Sequence, residues 1–320
     1  MKRAIISGPT GAIGMALLEI LMERQTEVLV LVRKGSARAD QIPEHPLITR
    51  VEADLSDFSK IENETGKRWD VFYHFAWEGT TGSGRNDVQL QTQNVKWTLD
   101  SVDLAKRFGC HTFVGAGSQA EYGRQEGDLT EKTAAFPEMG YGIAKLAAGQ
   151  MSRLRCAQIG MKHVWVRILR VYGPYDGKQS MVMSSIDKML RGEKASFTAG
   201  EQRWDYLYSK DAGRAFWMIG EKACSGDGDK IDGKTYCLGS GKARQLKEYI
   251  LQIRDGAAEM LAEGQKKPRL GLGEIPYSSG QVMYLCADIR ALTEDVGFVP
   301  QYSFEEGIRE TIKFVWREQQ

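Results

Sequence analysis

The chain reads as an α/β protein, a Rossmann-type doubly wound parallel sheet with a smaller C-terminal α+β lobe. Three observations predict this. Short apolar runs alternate with longer stretches of helical period through the first half of the chain, and a glycine-rich turn follows the first run. After about Pro174 the alternation gives way to short mixed elements.

Residues 3–7 (RAIIS) are the first expected strand, and the amphipathic stretch 12–24 the first helix. Residues 27–33, 48–53, 71–76, 112–115 and 163–171 are five more strands, and 87–108 is a long helix spaced by Leu90, Val95, Leu99, Val102 and Leu104. Strands separated by helical segments of this length pair in parallel with helices on both faces. Beyond Pro174, helices are expected at 181–191, 245–254, 288–295 and 304–317, with short strands at 195–198, 206–208 and 235–238. Residues 1–174 are therefore expected to form the dinucleotide-binding domain. Residues 175–320 are expected to form mostly a substrate-binding lobe, some of its segments returning to the first domain. Of two glycine-rich loops, 79–84 follows a strand at the end where such folds bind ligands, and 225–233 reads as a surface turn.

Lys and Arg number 43 against 42 Asp and Glu, a net charge of +1, which gives no electrostatic case for nucleic acid or an anionic membrane. No stretch approaches the ~20 apolar residues of a membrane span, and the N-terminal apolar run is too short for a signal peptide. The five cysteines form no Cys-x-x-Cys pair, so reduced thiols in a cytoplasmic protein are expected, with no metal site.

Gly8-Pro-Thr10-Gly11-Ala12-Ile13-Gly14 lies between the first strand and the first helix. A chain that must turn tightly and let its backbone approach a pyrophosphate needs glycine there, and the helix N-terminus offers free N–H groups to the phosphates. An NAD site usually ends its second strand with an acidic residue for the ribose hydroxyl. Here the segment is Val32-Arg33-Lys34-Gly-Ser36-Ala-Arg38, and guanidinium and ammonium groups suit a 2′-phosphate. That favours NADP over NAD; the alternative is a solvated basic turn beside NAD. Asp54 ends the third strand, where it bounds the adenine pocket or caps a helix.

Tyr141 and Lys145 stand four apart at the start of a helical segment, hence on one face. An ammonium ~4 Å from a phenol, at an effective dielectric near 20, interacts by ~4 kcal/mol. That would draw a phenol of pKa ~10 toward neutrality, where it can give or take a proton. Upstream, Ser118 ends a buried strand of small residues, as a partner for a substrate carbonyl or as a turn serine.

With Gly8, Gly11 and Gly14, Ser118 and Tyr141-x-x-x-Lys145 together, the chain resembles the extended short-chain dehydrogenase/reductases, the group that modifies nucleotide sugars. His74-Phe75-Ala76, Asn94, Ser118-Gln-Ala-Glu-Tyr122-Gly123, Arg170-Val-Tyr172-Gly173-Pro174 and Gln202-Arg203-Trp-Asp205-Tyr-Leu-Tyr208-Ser-Lys-Asp211 are similar to that family's remaining motifs. The resemblance implies hydride transfer with Ser118, Tyr141 and Lys145 as catalytic residues. It implies a dinucleotide held by Gly8, Thr10, Gly11, Ala12, Ile13, Gly14, Arg33, Lys34, Asp54, Leu55, Phe75, Ala76 and Asn94, with Tyr141 and Lys145. It implies a nucleotide sugar met by Trp77, Ser118, Gln119, Tyr172 and Arg203, Arg203 at the diphosphate or in a surface ion pair. A homodimer through 87–108 and 141–158 is also implied.

Dehydratases of the family carry Asp-Glu directly after the hydroxyl residue; here Gln119-Ala120 stand there and Glu121 is one position too far. Epimerases acting beside the carbonyl use a cysteine and a later histidine, and this chain has Gln119 and no histidine beyond His163. Two reactions stay open: NADPH reduction of a 4-keto-6-deoxy sugar, placed first, and 4-epimerisation with tightly held NAD. A non-catalytic dinucleotide-binding module is the remote alternative, since such a module is expected to have lost Tyr141 or Lys145.

Overall fold

The computed structural model describes residues 1–261 and 268–320. The chain runs β1 (Arg3–Ser7), α1 (Ala12–Glu23), β2 (Glu27–Val32), β3 (Ile48–Glu52), β4 (Val71–His74), α2 (Val88–Arg107), β5 (Thr112–Ser118), α3 (Gly140–Gln158), β6 (Lys162–Ile168) and β7 (Arg170–Tyr172). It continues through α4 (Met181–Leu190), β8 (Ala195–Ser196), β9 (Arg203–Tyr208), α5 (Ser209–Cys224), β10 (Thr235–Leu238), β11 (Ala243–Gln245) and α6 (Leu246–Glu259). After the break come β12 (Leu270–Gly271), β13 (Tyr284–Leu285), α7 (Arg290–Val296) and α8 (Phe304–Glu318).

Seven strands form one sheet in the order β10-β6-β5-β4-β1-β2-β3, and every pairing in it is parallel. Strands β1, β2 and β4 are almost wholly buried, as continuous Val/Ile/Leu runs must be when helices cover both faces. The strand order reverses between β1 and β4, which opens a crevice at their C-terminal ends, the ordinary ligand site of such sheets. Ser118 and the turn after β1 both face that edge. α3 comes close to the sheet because Gly149 meets the Trp165 ring of β6, where an added Cβ would lie 2.7 Å from the indole.

The expected strand 163–171 is two strands. The chain leaves the large sheet after Ile168, and Arg170–Tyr172 pairs in parallel with β9. That second sheet also contains β11 and β13, and a second core forms around Tyr206, Tyr208, Tyr249, Phe304 and Ile308. Conversely, Thr235–Leu238 joins the large sheet at its edge beside β6. A helix absent from the sequence reading, α5, packs on α1, with Gly213 against the Ala16–Leu17 backbone. All five cysteines are free. No described helix is long and apolar enough to cross a membrane.

Candidate active site

The turn after β1 is built for close approach. Gly8 has φ +70°, and a Cβ there would lie 2.7 Å from the Ala76 backbone nitrogen. A Cβ on Gly14 would meet the Gly8 and Pro9 carbonyls at 2.6 and 2.7 Å. β1, the turn, α1 and the end of β4 therefore interlock through glycine alone. Gly11 is different: it caps α1 with no side-chain acceptor and has open space around its Cβ position. The first N–H groups of α1 are left free at the mouth of the crevice, where an anion is favourable.

Beside the turn lies a cavity of about 490 Å³ whose lining includes Gly8, Thr10, Arg33, Leu55, Ala76 and Trp77, together with Leu31, Val32, Ala53 and Phe58. Apolar walls for a base and ribose, next to uncapped N–H groups for phosphates, fit a dinucleotide. Ser36 and Arg38 complete the lining on the ribose side, and Arg38 donates to the Tyr175 carbonyl at 3.4 Å. Lys34 is turned away into an ion pair with Asp57 at 2.9 Å. Asp54 opens the short turn Leu55–Asp57, its backbone N–H donating to Asp57, so of its two readings the cap describes its position. Phe75 packs edge-to-face on Phe216, and Ile13 packs on the main core; neither side chain lines the cavity. Ala12 opens α1 and lines a neighbouring small cavity.

Asn94 is buried and clamps the loop after β4: its Oδ1 accepts from the Glu78 N–H at 3.0 Å and its Nδ2 donates to the Glu78 carbonyl at 2.9 Å. Gln91, not singled out by sequence, does more. Its Nε2 donates to the Gly79 and Gly84 carbonyls, and its Oε1 accepts from the Trp77 indole at 2.9 Å. Trp77 is thereby fixed edge-on to Tyr141, with ring centroids 6.0 Å apart.

Tyr141 and Lys145 sit on one face of α3 as expected, but the ammonium is not the phenol's main charge partner. Lys145 is buried, donates to the Ala116 carbonyl at 2.7 Å and lies 3.7 Å from the Trp77 ring centroid, against 5.9 Å from that of Tyr141. Burial draws the ammonium down to about 7, opposed by the charge of Glu121. The Tyr141 phenol is raised by burial; the Ser118 hydroxyl and the guanidinium of Arg85 pull it back, and Glu121 pushes it further up. A phenol drawn down by Lys145 is thus replaced by one held between burial, a hydroxyl and Arg85. His74 lies beneath, bonded to Ser7 at 2.8 Å, and burial with the Lys145 charge depresses its imidazole to about 3.

Ser118 is fixed from behind. Gln119–Glu121 is a 3₁₀ turn rather than a continued strand, so Glu121 folds back under it. Its Oε1 accepts from the Ser118 N–H at 2.8 Å and from the Trp165 indole at 2.9 Å, while Oε2 accepts from Arg167 at 2.7 Å. The one-residue displacement does remove this carboxylate from the cleft, by a turn and not by strand alternation. Gln119 begins the turn and is partly exposed.

Two expected substrate residues bond main-chain carbonyls of the C-terminal half. Tyr172 is carried by β7 into the second core, where its hydroxyl donates to the Phe304 carbonyl at 3.1 Å, so it presents no polar atom to a substrate. Arg203 is exposed at the start of β9 and donates to the Ala243 carbonyl at 2.9 Å, not to a carboxylate. Asp205 and Asp211 of the same motif are structural: Asp205 accepts from the N–H groups of Ser240, Gly241 and Ala287, and Asp211 from those of Gln301 and Tyr302.

A crevice that fits a dinucleotide, with a serine, a tyrosine and a lysine beside it, is the arrangement of a dinucleotide-dependent enzyme. Residues 4–238 match the model of the NAD dependent epimerase/dehydratase family, and the chain belongs to that family. It is similar to dTDP-glucose 4,6-dehydratase of Haemophilus influenzae, 23% identical over 98% of each chain. It is similar as well to dTDP-4-dehydro-6-deoxyglucose reductase of Escherichia coli, 24% identical over 97% of this chain and 96% of that one. The fold is shared with UDP-glucuronic acid 4-epimerase of Bacillus cereus, solved in complex with NAD, at a TM-score of 0.80 and 19% identity over 99% of this chain and 100% of that one.

Proposed function

We propose that the protein is an NAD(P)-dependent oxidoreductase acting on a nucleotide-activated sugar, and that it reduces a 4-keto (6-deoxy) sugar. The observation that carries this reading is Glu121 locked behind Ser118 by Arg167, Trp165 and the Ser118 N–H, which leaves the hydroxyls of Ser118 and Tyr141 as the acid/base groups at the cleft. One hydroxyl pair can serve one carbon, and the carboxylate that a dehydration would need is committed to Arg167, Trp165 and the Ser118 N–H.

The bound dinucleotide supplies the hydride. Gly8, Thr10, Gly11 and the start of α1 would hold its phosphates, and Leu55, Ala76 and the end of β2 would flank its adenosine. Ser118 and Tyr141 hydrogen-bond the sugar carbonyl oxygen, and Tyr141 gives its proton to the alkoxide that forms. Lys145, drawn to about 7 by burial, can gain or lose a proton near neutrality and donate to the Ala116 carbonyl in either state. Trp77 closes the site beside Tyr141 and limits water. Arg33 and Arg38, with no carboxylate at salt-bridge distance among the described residues, favour NADP. Residues 175–320 furnish most of the sugar-nucleotide lobe. A homodimer would use α2 and α3, where Ile143, Met151 and Leu154 are exposed along one helix.

A 4-epimerase with tightly bound NAD is the second reading, favoured by one fact: Lys34, half of the basic pair that argues for NADP, is held by Asp57. Absorbance at 340 nm separates the two. Stoichiometric loss of NADPH on adding a 4-keto sugar nucleotide is expected; interconversion of a 4-hydroxy sugar nucleotide with its C4 epimer, without net cofactor change, would establish the second reading. Tyr141→Phe should lower turnover by about 10²–10⁴-fold and leave dinucleotide binding intact, as removal of a general acid does. Unchanged turnover would end the mechanism.

A further inference from the structure

The loop 79–87 is tied down more firmly than a surface loop needs. Gln91 bonds the Gly79 and Gly84 carbonyls, Asn86 Oδ1 accepts from the Gly140 N–H at 3.0 Å, and Asp87 caps α2. These contacts hold Arg85 over the catalytic residue: its guanidinium carbon lies 4.3 Å from the Tyr141 ring centroid, and its only hydrogen bond among the described residues runs to the Thr80 carbonyl at 2.9 Å. A partly buried guanidinium without a carboxylate partner is costly unless a negative charge is meant to appear beside it.

We propose that Arg85 is the electrostatic partner of Tyr141, a positioning residue that favours the ionised form of the catalytic phenol. The proposal rests on the reading of Tyr141 as the proton-transfer group. The groups facing the phenol are few. Ser118 reaches it from β5, Arg85 from the loop before α2, Lys145 from its own helix, and Glu121 from the turn after β5; Trp77 offers only an aromatic edge. Lys145 is engaged with Ala116 beneath Trp77, and of the two cations Arg85 lies nearer the Tyr141 ring, 4.3 Å against 5.9 Å from its centroid. Burial lowers Arg85 from its ordinary range, an effect that the phenol opposes and Arg170 adds to. As Tyr141 gives its proton to the sugar alkoxide, the charge left on the phenol oxygen is met by this guanidinium, and the phenol is the stronger acid for it.

The sign of the test follows from Coulomb's law: removing a cation raises the phenol. Ultraviolet titration of phenolate in the free protein, taken as the difference from Tyr141→Phe, isolates this one hydroxyl. Arg85→Met, which keeps the stem and removes the charge, should move the titration about one pH unit upward. Arg85→Gln should do the same, and Arg85→Lys should remain near the parent. The alkaline limb of kcat/KM should shift with the titration. Arg85→Met titrating with the parent would overturn the proposal, as would Arg85→Lys shifting as far as Arg85→Met, since packing rather than charge would then be the cause. The titration needs no substrate, so it stands or falls separately from the identity of the sugar.

Discussion

Glu121 carries the clearest consequence of a single residue. Both its oxygens are spent on three donors inside the protein, and its ion pair with Arg167 is almost completely buried. Removing the charge alone leaves a guanidinium desolvated and unpaired, so Glu121→Gln should cost roughly 3–5 kcal/mol, read as a shift in the denaturation midpoint. The same change loosens the Ser118 N–H, and turnover should fall further than the loss of folded protein explains. A variant as stable as the parent would show that the pair is not the anchor described. Sequence located Ser118, Tyr141 and Lys145, because spacing on a helix and at a strand end carries that information. It did not reveal Arg85 or Gln91, which reach the site through tertiary contacts from a loop and a helix without a motif. Nor could spacing tell that Tyr172, inside a family motif, turns into a core: only the crossing of β7 to a second sheet puts it there.

At the scale of elements, the turn between β1 and α1 separates fold from ligand. Gly8 and Gly14 are needed by the backbone packing around them, whereas Gly11 has no atom near its Cβ position. Its φ of −86° also suits an alanine. Gly11→Ala should therefore leave the melting temperature close to the parent, costing under about 1 kcal/mol at an N-cap. It should still weaken dinucleotide binding more than tenfold, because the methyl group enters the space above the free N–H groups. Calorimetric titration with NADPH and NADH checks this, and unchanged affinity would mean that the phosphates do not cross Gly11. The main sheet was legible because buried parallel strands are continuous apolar runs. α5 was not, although Ala212, Ala215, Phe216, Ile219 and Ala223 recur at helical spacing on its inner face: it follows β9 with no connecting turn to mark its start, and most of that face is small residues packed closely on α1. β6 and β7 read as one strand because one strand-favouring run, with no Gly or Pro between His163 and Val171, serves two sheets in succession.

For the whole molecule, the open matter is what covers α3. Its inner face packs on the sheet through Ala148, Gly149 and Ser152 and on the turn after β5 through Gly142, and it positions Tyr141 and Lys145. Its outer face carries Ile143 and Leu154, 55% and 56% exposed, with Met151 between them; Val88 at the start of α2 is 63% exposed. An apolar stripe along a helix that water covers in the monomer is the kind of face a second copy buries, and a symmetric contact would set the α2–α3 pair against its counterpart. Replacing Ile143 and Leu154 together by Glu changes exposed positions, so the isolated chain should lose at most about 0.5 kcal/mol per site. Sedimentation equilibrium should find the parent at the mass of two chains and the double variant at the mass of one. Because the same helix holds the phenol and ammonium on its other side, separating the subunits should also lower kcat and make specific activity depend on protein concentration. A parent that sediments as one chain would remove this contact from the molecule, and the rigidity of α3 would then rest on the sheet and on α2 of the same chain, to which Arg155 is paired through Asp103.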